Sequence, residues 1–136
     1  DYYSDRPRAC MDGWARRFVN VTPDGSVLPC HAAQSIAGLS FERVTERPLG
    51  EIWENSPAMR AFRGDDWMRE PCRSCPNKTV DFGGCRCQAF LLTGDANVAD
   101  PACELSPHHG LVKQARESAA SNEVPARYLY RGARAT

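Results

Sequence analysis

Apolar, β-branched residues near the start of the chain fall into two short runs that polar turn residues separate. The runs extend over residues 17–22 and 26–29, and Pro23-Asp24-Gly25 lies between them. Short β-rich runs around a Pro-Asp-Gly turn predict a β-hairpin. Because Cys10 precedes the hairpin and Cys30 directly follows it, we expect the hairpin to bring these two cysteines together.

Further along the chain, apolar residues recur at the spacing of a helix. Residues 47–54 and 56–62 each carry a proline near the start, followed by apolar residues at helical intervals. Proline is tolerated in a first helical turn, so we predict two short helices whose apolar residues belong to the core. A third helix is predicted over Gln88–Leu92, ended by Gly94, and a weaker one over Leu111–Ala120.

The predicted hairpin and short helices indicate a small α+β fold, composition indicates that it is loop-rich, and bound metal is expected to organise it. The chain has 136 residues, including ten glycines, ten prolines and seven cysteines. Small chains with modest cores commonly need metal or covalent cross-links. An odd number of cysteines argues against a closed set of disulfides, and the chain opens without the apolar run of a secretory signal. Metal binding in a reducing, cytoplasmic compartment is therefore the better expectation.

Charge provides no attraction to nucleic acid or to an anionic membrane. Lysine plus arginine and aspartate plus glutamate number 17 each, so the formal net charge is zero. No stretch approaches the roughly 18 apolar residues that a membrane span needs. We expect neither a nucleic acid nor a membrane as partner.

The cysteines are spaced as metal ligands. Cys72 and Cys75 form a Cys-x-x-Cys pair, which occurs in both zinc and iron–sulfur sites. Seven thiols are too many for one four-coordinate ion and enough for two sites. A double zinc-binding interaction module and a stand-alone ferredoxin-like electron carrier both remain open on these grounds.

The full order of cysteines resembles the SPASM family, the auxiliary iron–sulfur domains of radical SAM enzymes that modify peptides. Cys10 is followed by fourteen residues, Gly25, four residues and Cys30. Cys72 and Cys75 then precede position 81, Cys85 and a last cysteine, Cys103. Aspartate stands at position 81, where the family pattern has a cysteine, and Cys87 is additional. This departure, within Asp-Phe-Gly-Gly-Cys-Arg-Cys-Gln-Ala-Phe, is similar to the members that make pyrroloquinoline quinone.

The resemblance implies two iron–sulfur clusters. It assigns the first auxiliary cluster to Cys10, Cys30, Cys85 and Cys87, and the second to Cys72, Cys75, Asp81 and Cys103. Either [2Fe–2S] or [4Fe–4S] clusters take four such ligands. For Asp81 the alternative is an exposed loop carboxylate. His31, His108 and His109 are less favoured as ligands because eight better-placed donors exist, and Trp14, Arg16 and Arg86 are expected to pack or to meet solvent.

A function in peptide cross-linking follows from the same resemblance. Enzymes of this kind join a glutamate to a tyrosine in the precursor peptide PqqA, assisted by the carrier protein PqqD, and their auxiliary clusters transfer electrons. S-adenosylmethionine is bound in a separate barrel by a Cys-x3-Cys-x2-Cys motif, which this chain lacks. We expect no catalytic residue in this chain and no activity from it alone; another SPASM peptide maturase is the alternative.

The resemblance also implies a division of the chain. Residues 1–9 would be the linker from a radical SAM barrel, and residues 10–110 the auxiliary-cluster domain. Residues 111–136 would be a C-terminal helix and flexible tail.

Overall fold

The computed structural model describes residues 6–121, and most of that segment is loops and turns between short elements. An antiparallel pair of two-residue strands and several short helices confirm the expected α+β class in its simplest form. The strands are β1 (Asn20–Val21) and β2 (Val27–Leu28), and 3-10 turns cover Cys10–Asp12 and Ala33–Ser35. The α-helices are α1 (Leu49–Asn55), α2 (Pro57–Arg60), α3 (Lys78–Asp81), α4 (Arg86–Thr93) and α5 (His109–Ser121).

The predicted β-hairpin is present. Asn20 pairs with Leu28 and Val21 with Val27. At the turn, Gly25 has φ 86°, a left-handed conformation that glycine adopts without strain. The Asp24 carboxylate accepts hydrogen bonds from the hydroxyls of Thr22 and Ser26, which lower its pKa to about 2. The turn therefore carries an ionised, hydrogen-bonded carboxylate at neutral pH.

The predicted helices are present with shifted ends. Helices α1 and α2 occupy the two proline-led stretches, with Pro48 just before α1 and Pro57 as the first residue of α2. Helix α4 begins at Arg86, earlier than predicted, because Cys85 caps its first turn. It ends at Gly94 in a left-handed conformation, as the sequence indicates. Helix α5 (His109–Ser121) includes the weaker helix that was predicted over Leu111–Ala120.

One apolar core packs against the hairpin and α1–α2. Trp14 belongs to this core; its indole N–H donates to the Ala58 carbonyl at 2.8 Å, and its ring meets Phe62 edge-on. The expectation of buried helix-spaced residues is confirmed for Ile52 and Phe62 but wrong for Leu49, which is exposed in the first turn of α1. The other buried members of this core are Ala15, Val27, Leu28, Cys30, Ala33, Ile36, Met59, Cys87 and Ala96.

Two further expectations concern the C-terminal tail and membrane-spanning helices. The basic stretch over residues 127–134, predicted as a flexible tail, lies outside the described residues. Within residues 6–121, every helix is too short or too polar to cross a bilayer.

Candidate metal centres

Four cysteines from separate elements meet beside the apolar core. Cys10 lies in a 3-10 turn, Cys30 follows β2, Cys85 caps α4, and Cys87 lies in the first turn of α4. The sulfurs of Cys30 and Cys87 are 3.4 Å apart. The Cys10 thiol is hydrogen-bonded with those of Cys30 and Cys85. These four residues form what we call the first cysteine group.

Hydrogen bonds among the four thiols shift their pKa values in opposite directions. Hydrogen bonds from Cys10 and Cys87 lower the pKa of Cys30 to about 3 and that of Cys85 to about 2. The same hydrogen bonds raise the pKa values of Cys10 and Cys87, and burial adds to that rise. Two of the sulfurs thus have thiolate character, and a bound cation would displace the remaining protons. Soft thiolate donors suit iron in a cluster, and they suit zinc as well.

The start of α4 supplies a further contact to this group. The Gln88 N–H points at the Cys85 sulfur at 3.4 Å, so a cysteine takes the place that a serine or aspartate usually holds at a helix N-terminus. Because free N–H groups at a helix start favour negative charge, the position stabilises a thiolate.

The other four predicted site residues line a single pocket. Cys72 and Cys75 lie in one turn, in which the Cys75 N–H donates to the Cys72 carbonyl at 3.2 Å. Asp81 ends α3, and Cys103 lies in the turn that follows Asp100. The pocket is completed by Pro7, Pro71, Gly83 and Leu105. We call Cys72, Cys75, Asp81 and Cys103 the second cysteine group.

Burial dominates the electrostatics of the second group. It raises the pKa of Cys72 to about 11, and the neighbouring Asp81, Cys103 and Cys75 act in the same direction against Arg86. Burial also raises the pKa of Cys103. These thiols are therefore protonated at neutral pH without metal, and binding a cation would release their protons.

Asp81 has a role that the sequence does not reveal. Its Oδ1 accepts the Gly83 N–H at 2.9 Å and closes the turn between the two cysteine groups. The residue is half-buried and lines the pocket of the second group. The carboxylate is therefore not simply an exposed loop charge.

The two donor sets have the number and kind of ligands that iron–sulfur clusters take. A cluster distributes its protein ligands over several iron atoms, so the ligands need not converge on one point. Four thiols in one group, and three thiols with a carboxylate in the other, fit that chemistry.

The histidines make other contacts. The exposed His31 packs against Phe18 with ring centres 5.4 Å apart. His109 is buried with its Nδ1 3.0 Å from the Pro101 carbonyl, and the His108 N–H donates to the Ser106 hydroxyl.

Arg86, between two cysteines of the first group, packs in the interior, which is one of its two expected roles, and does not meet solvent. It is 2% exposed, and its guanidinium donates to the carbonyls of Ala96 at 2.9 Å, Val98 at 2.7 Å and Gly83. The guanidinium also stacks on Trp67, 4.6 Å from the ring centre. Burial lowers the pKa of Arg86 because the charged form loses hydration.

Trp14 and Arg16 behave as expected. Trp14 belongs to the core, and the exposed Arg16 lies over Phe82 at 4.0 Å.

Residues 10–76 match the model of the SPASM family, described as an iron–sulfur cluster-binding domain. A PqqA peptide cyclase from Methylocella silvestris is 57% identical over 99% of this chain and 37% of the relative. Relatives of the same name from Granulibacter bethesdensis and Methylorubrum extorquens are 54% and 58% identical over 96% of the chain and 34% of their own length. The chain thus spans about a third of the length of these curated relatives.

Proposed function

Since this chain contains an iron–sulfur cluster-binding domain of the SPASM family, we propose that it is the auxiliary-cluster part of a PqqE-like radical SAM enzyme, a PqqA peptide cyclase. The observation that carries the proposal is the meeting of eight sequence-distant donors in two groups of four. The reaction of the whole protein would be the glutamate–tyrosine carbon–carbon cross-link in PqqA during pyrroloquinoline quinone synthesis.

Each group would hold one cluster. The first cysteine group supplies four thiolates, and the second supplies three with the Asp81 carboxylate. When bound, such clusters accept and pass on single electrons.

The chain's own residues would prepare both places. Burial of Cys30 and Cys87 keeps water from the first group, and the Gln88 N–H partly neutralises the Cys85 thiolate. The fixed Arg86 cation interacts electrostatically with Asp100, with Cys85 of the first group, and with Cys72 and Asp81 of the second. Positive charge near a cluster favours its reduced form.

The remaining parts of the reaction would lie outside this chain. A radical SAM barrel would hold S-adenosylmethionine and join at residues 1–9, with the cluster domain over residues 10–110 and a helix and tail over residues 111–136. PqqA would be the substrate and PqqD its carrier. A reducing cytoplasm would keep the seven thiols available for iron.

Metal identity provides the first test. Anaerobically prepared protein should contain iron and sulfide, absorb visible light and give an electron paramagnetic resonance signal after reduction. Zinc alone, with no visible absorption, would favour the double zinc module and contradict the proposal.

Grouping of the ligands provides the second test. Cys10→Ala and Cys30→Ala should abolish one cluster signal, while Cys72→Ala and Cys75→Ala should abolish the other. His31→Ala, next to Cys30 but turned towards Phe18, is the matched control and should keep both. Loss of one common signal in all four cysteine variants would mean a single shared site.

A further inference from the structure

Asp100 is a buried carboxylate between the two cysteine groups. It is 2% exposed, and both of its oxygens accept hydrogen bonds. Oδ2 accepts the Cys85 N–H at 2.7 Å, while Oδ1 accepts the Gln88 side-chain amide at 2.6 Å and the Ala102 N–H at 2.9 Å. Burying a carboxylate is costly unless such bonds replace its lost hydration. The side chain therefore holds two backbone N–H groups and one side-chain amide.

The same residue contacts the backbone of both groups. Its side chain fixes Cys85, in the first group, and its carbonyl accepts the Cys103 N–H, in the second, at 2.9 Å. Gly84 packs against it so closely that a Cβ there would lie 2.5 Å from Oδ2. The absence of a side chain at Gly84 thus makes room for Asp100.

An ordinary loop aspartate in the same segment provides a comparison. Asp95 accepts the N–H two residues ahead, from Asn97, at 2.8 Å, just as Asp100 accepts that of Ala102. Asp95 otherwise pairs with the exposed Arg69. The bond to the Cys85 N–H is what distinguishes Asp100 from a residue that only closes a turn.

We propose that Asp100 is a positioning residue common to both cysteine groups, which fixes the backbone of Cys85 relative to that of Cys103. Its negative charge beside Cys85 also holds down the reduction potential of the cluster in the first group. This inference rests on the proposed function, since it concerns the same two sites. It adds that they are mechanically linked through one residue, whose side chain holds the Cys85 and Ala102 N–H groups and whose carbonyl holds that of Cys103.

The test measures each cluster alone in the full-length protein, reconstituted anaerobically with iron and sulfide. A Cys72→Ala background leaves the first group, and a Cys10→Ala background leaves the second. In each background, Asp100→Ala should speed iron loss to a chelator by about tenfold, a usual effect of removing a residue that orients metal ligands. Asp95→Ala, the matched control, should leave both rates unchanged.

Asp100→Asn removes the negative charge of the side chain while nearly keeping its shape. The amide oxygen can accept one of the two backbone N–H groups but not both, and the negative charge is gone. Because Asp100 links the two groups, release of either N–H should speed iron loss in both backgrounds, and the loss of negative charge should shift the midpoint potential of the first cluster to more positive values. If circular dichroism shows that Asp100→Ala does not fold, the Asp100→Asn measurements decide.

The outcomes distinguish a failure of the proposed function from a failure of the positioning role of Asp100. Parent proteins that bind no iron would overturn the proposed function. Parents that load normally while the Asp100 variants lose iron no faster, or in one background alone, would overturn the positioning role and leave the function standing. Equal effects of Asp95→Ala and Asp100→Ala, or an unshifted potential in Asp100→Asn, would also contradict it.

Discussion

The carboxylate of Asp81 faces two demands in this structure. One oxygen closes the turn onto the Gly83 N–H, and the residue lines the pocket with Cys72, Cys75 and Cys103. A turn needs only a hydrogen-bond acceptor, whereas an iron ligand needs an anionic donor. Substitutions that keep one property and remove the other can therefore separate the two roles.

Asp81→Asn should keep the turn but weaken iron retention by the second group, because an amide oxygen is a poorer donor than a carboxylate. Asp81→Cys should retain iron and shift the potential and g-values of that cluster alone, because a thiolate donates more electron density. Asp81→Ala should make the same cluster labile. The readouts are iron content, potentiometry and electron paramagnetic resonance.

The signal of the first cluster serves as the internal control in these variants. Unchanged spectra, potential and iron content in all three would restrict Asp81 to closing the turn.

Single residues differ in how far the sequence reveals them. Asp81 could be found because it occupies a cysteine position in a spaced pattern. Arg86 and Asp100 could not, because their roles depend on burial and on backbone groups brought from elsewhere. Charged residues are usually exposed, so the residue type alone does not indicate that either is buried.

At the scale of elements, the hairpin and the longer helices were predictable because each has a local signal. Turn residues mark the hairpin, and prolines and helical spacing mark α1 and α2. Helix α3 and the 3-10 turn at Cys10–Asp12 are too short to show a period. The early start of α4 was missed because cysteine is an uncommon N-cap.

Two glycines at helix positions should respond in opposite directions to the same substitution. Gly50 lies within α1, and a Cβ added there would meet only open space, so Gly50→Ala should raise the free energy of unfolding by about 0.5 kcal/mol. Gly94, which ends α4, also has open space but a φ of 78°. Gly94→Ala should lower the free energy of unfolding by about 1 kcal/mol, since alanine is strained there.

Urea unfolding of the reconstituted protein measures both changes. Each variant is the steric control of the other, because neither added methyl group meets a neighbour. Destabilisation of equal size in both would show that local conformation is not the cause.

At the scale of the molecule, the first cysteine group shares two residues with the apolar core, and the second shares none of its cysteines. Cys30 and Cys87 of the first group are core members, whereas Cys72, Cys75 and Cys103 are not. The second group is therefore built on loops that the core does not hold. The α+β class followed from the turn residues and the helical spacing, but this asymmetry needed the tertiary structure.

Metal removal should thus affect the loops of the second cysteine group more than the elements that the apolar core holds. Without iron, amides over residues 72–84 and around Cys103 should exchange rapidly, because metal binding would supply the free energy that orders these loops. Amides in the hairpin and in α1 should stay protected by the core. Hydrogen–deuterium exchange with mass spectrometry, before and after chelation, measures the difference. Slow exchange over residues 72–84 in the metal-free protein would contradict it.

Only three residues, with the Gly83-Gly84 pair among them, separate Asp81 of the second group from Cys85 of the first. Both glycines have positive φ, and each packs against a side chain from elsewhere in the chain. The contributions of the two groups alternate along the sequence, with Cys103 coming after Cys87. A single crossover between related genes therefore could not exchange one group and leave the other whole.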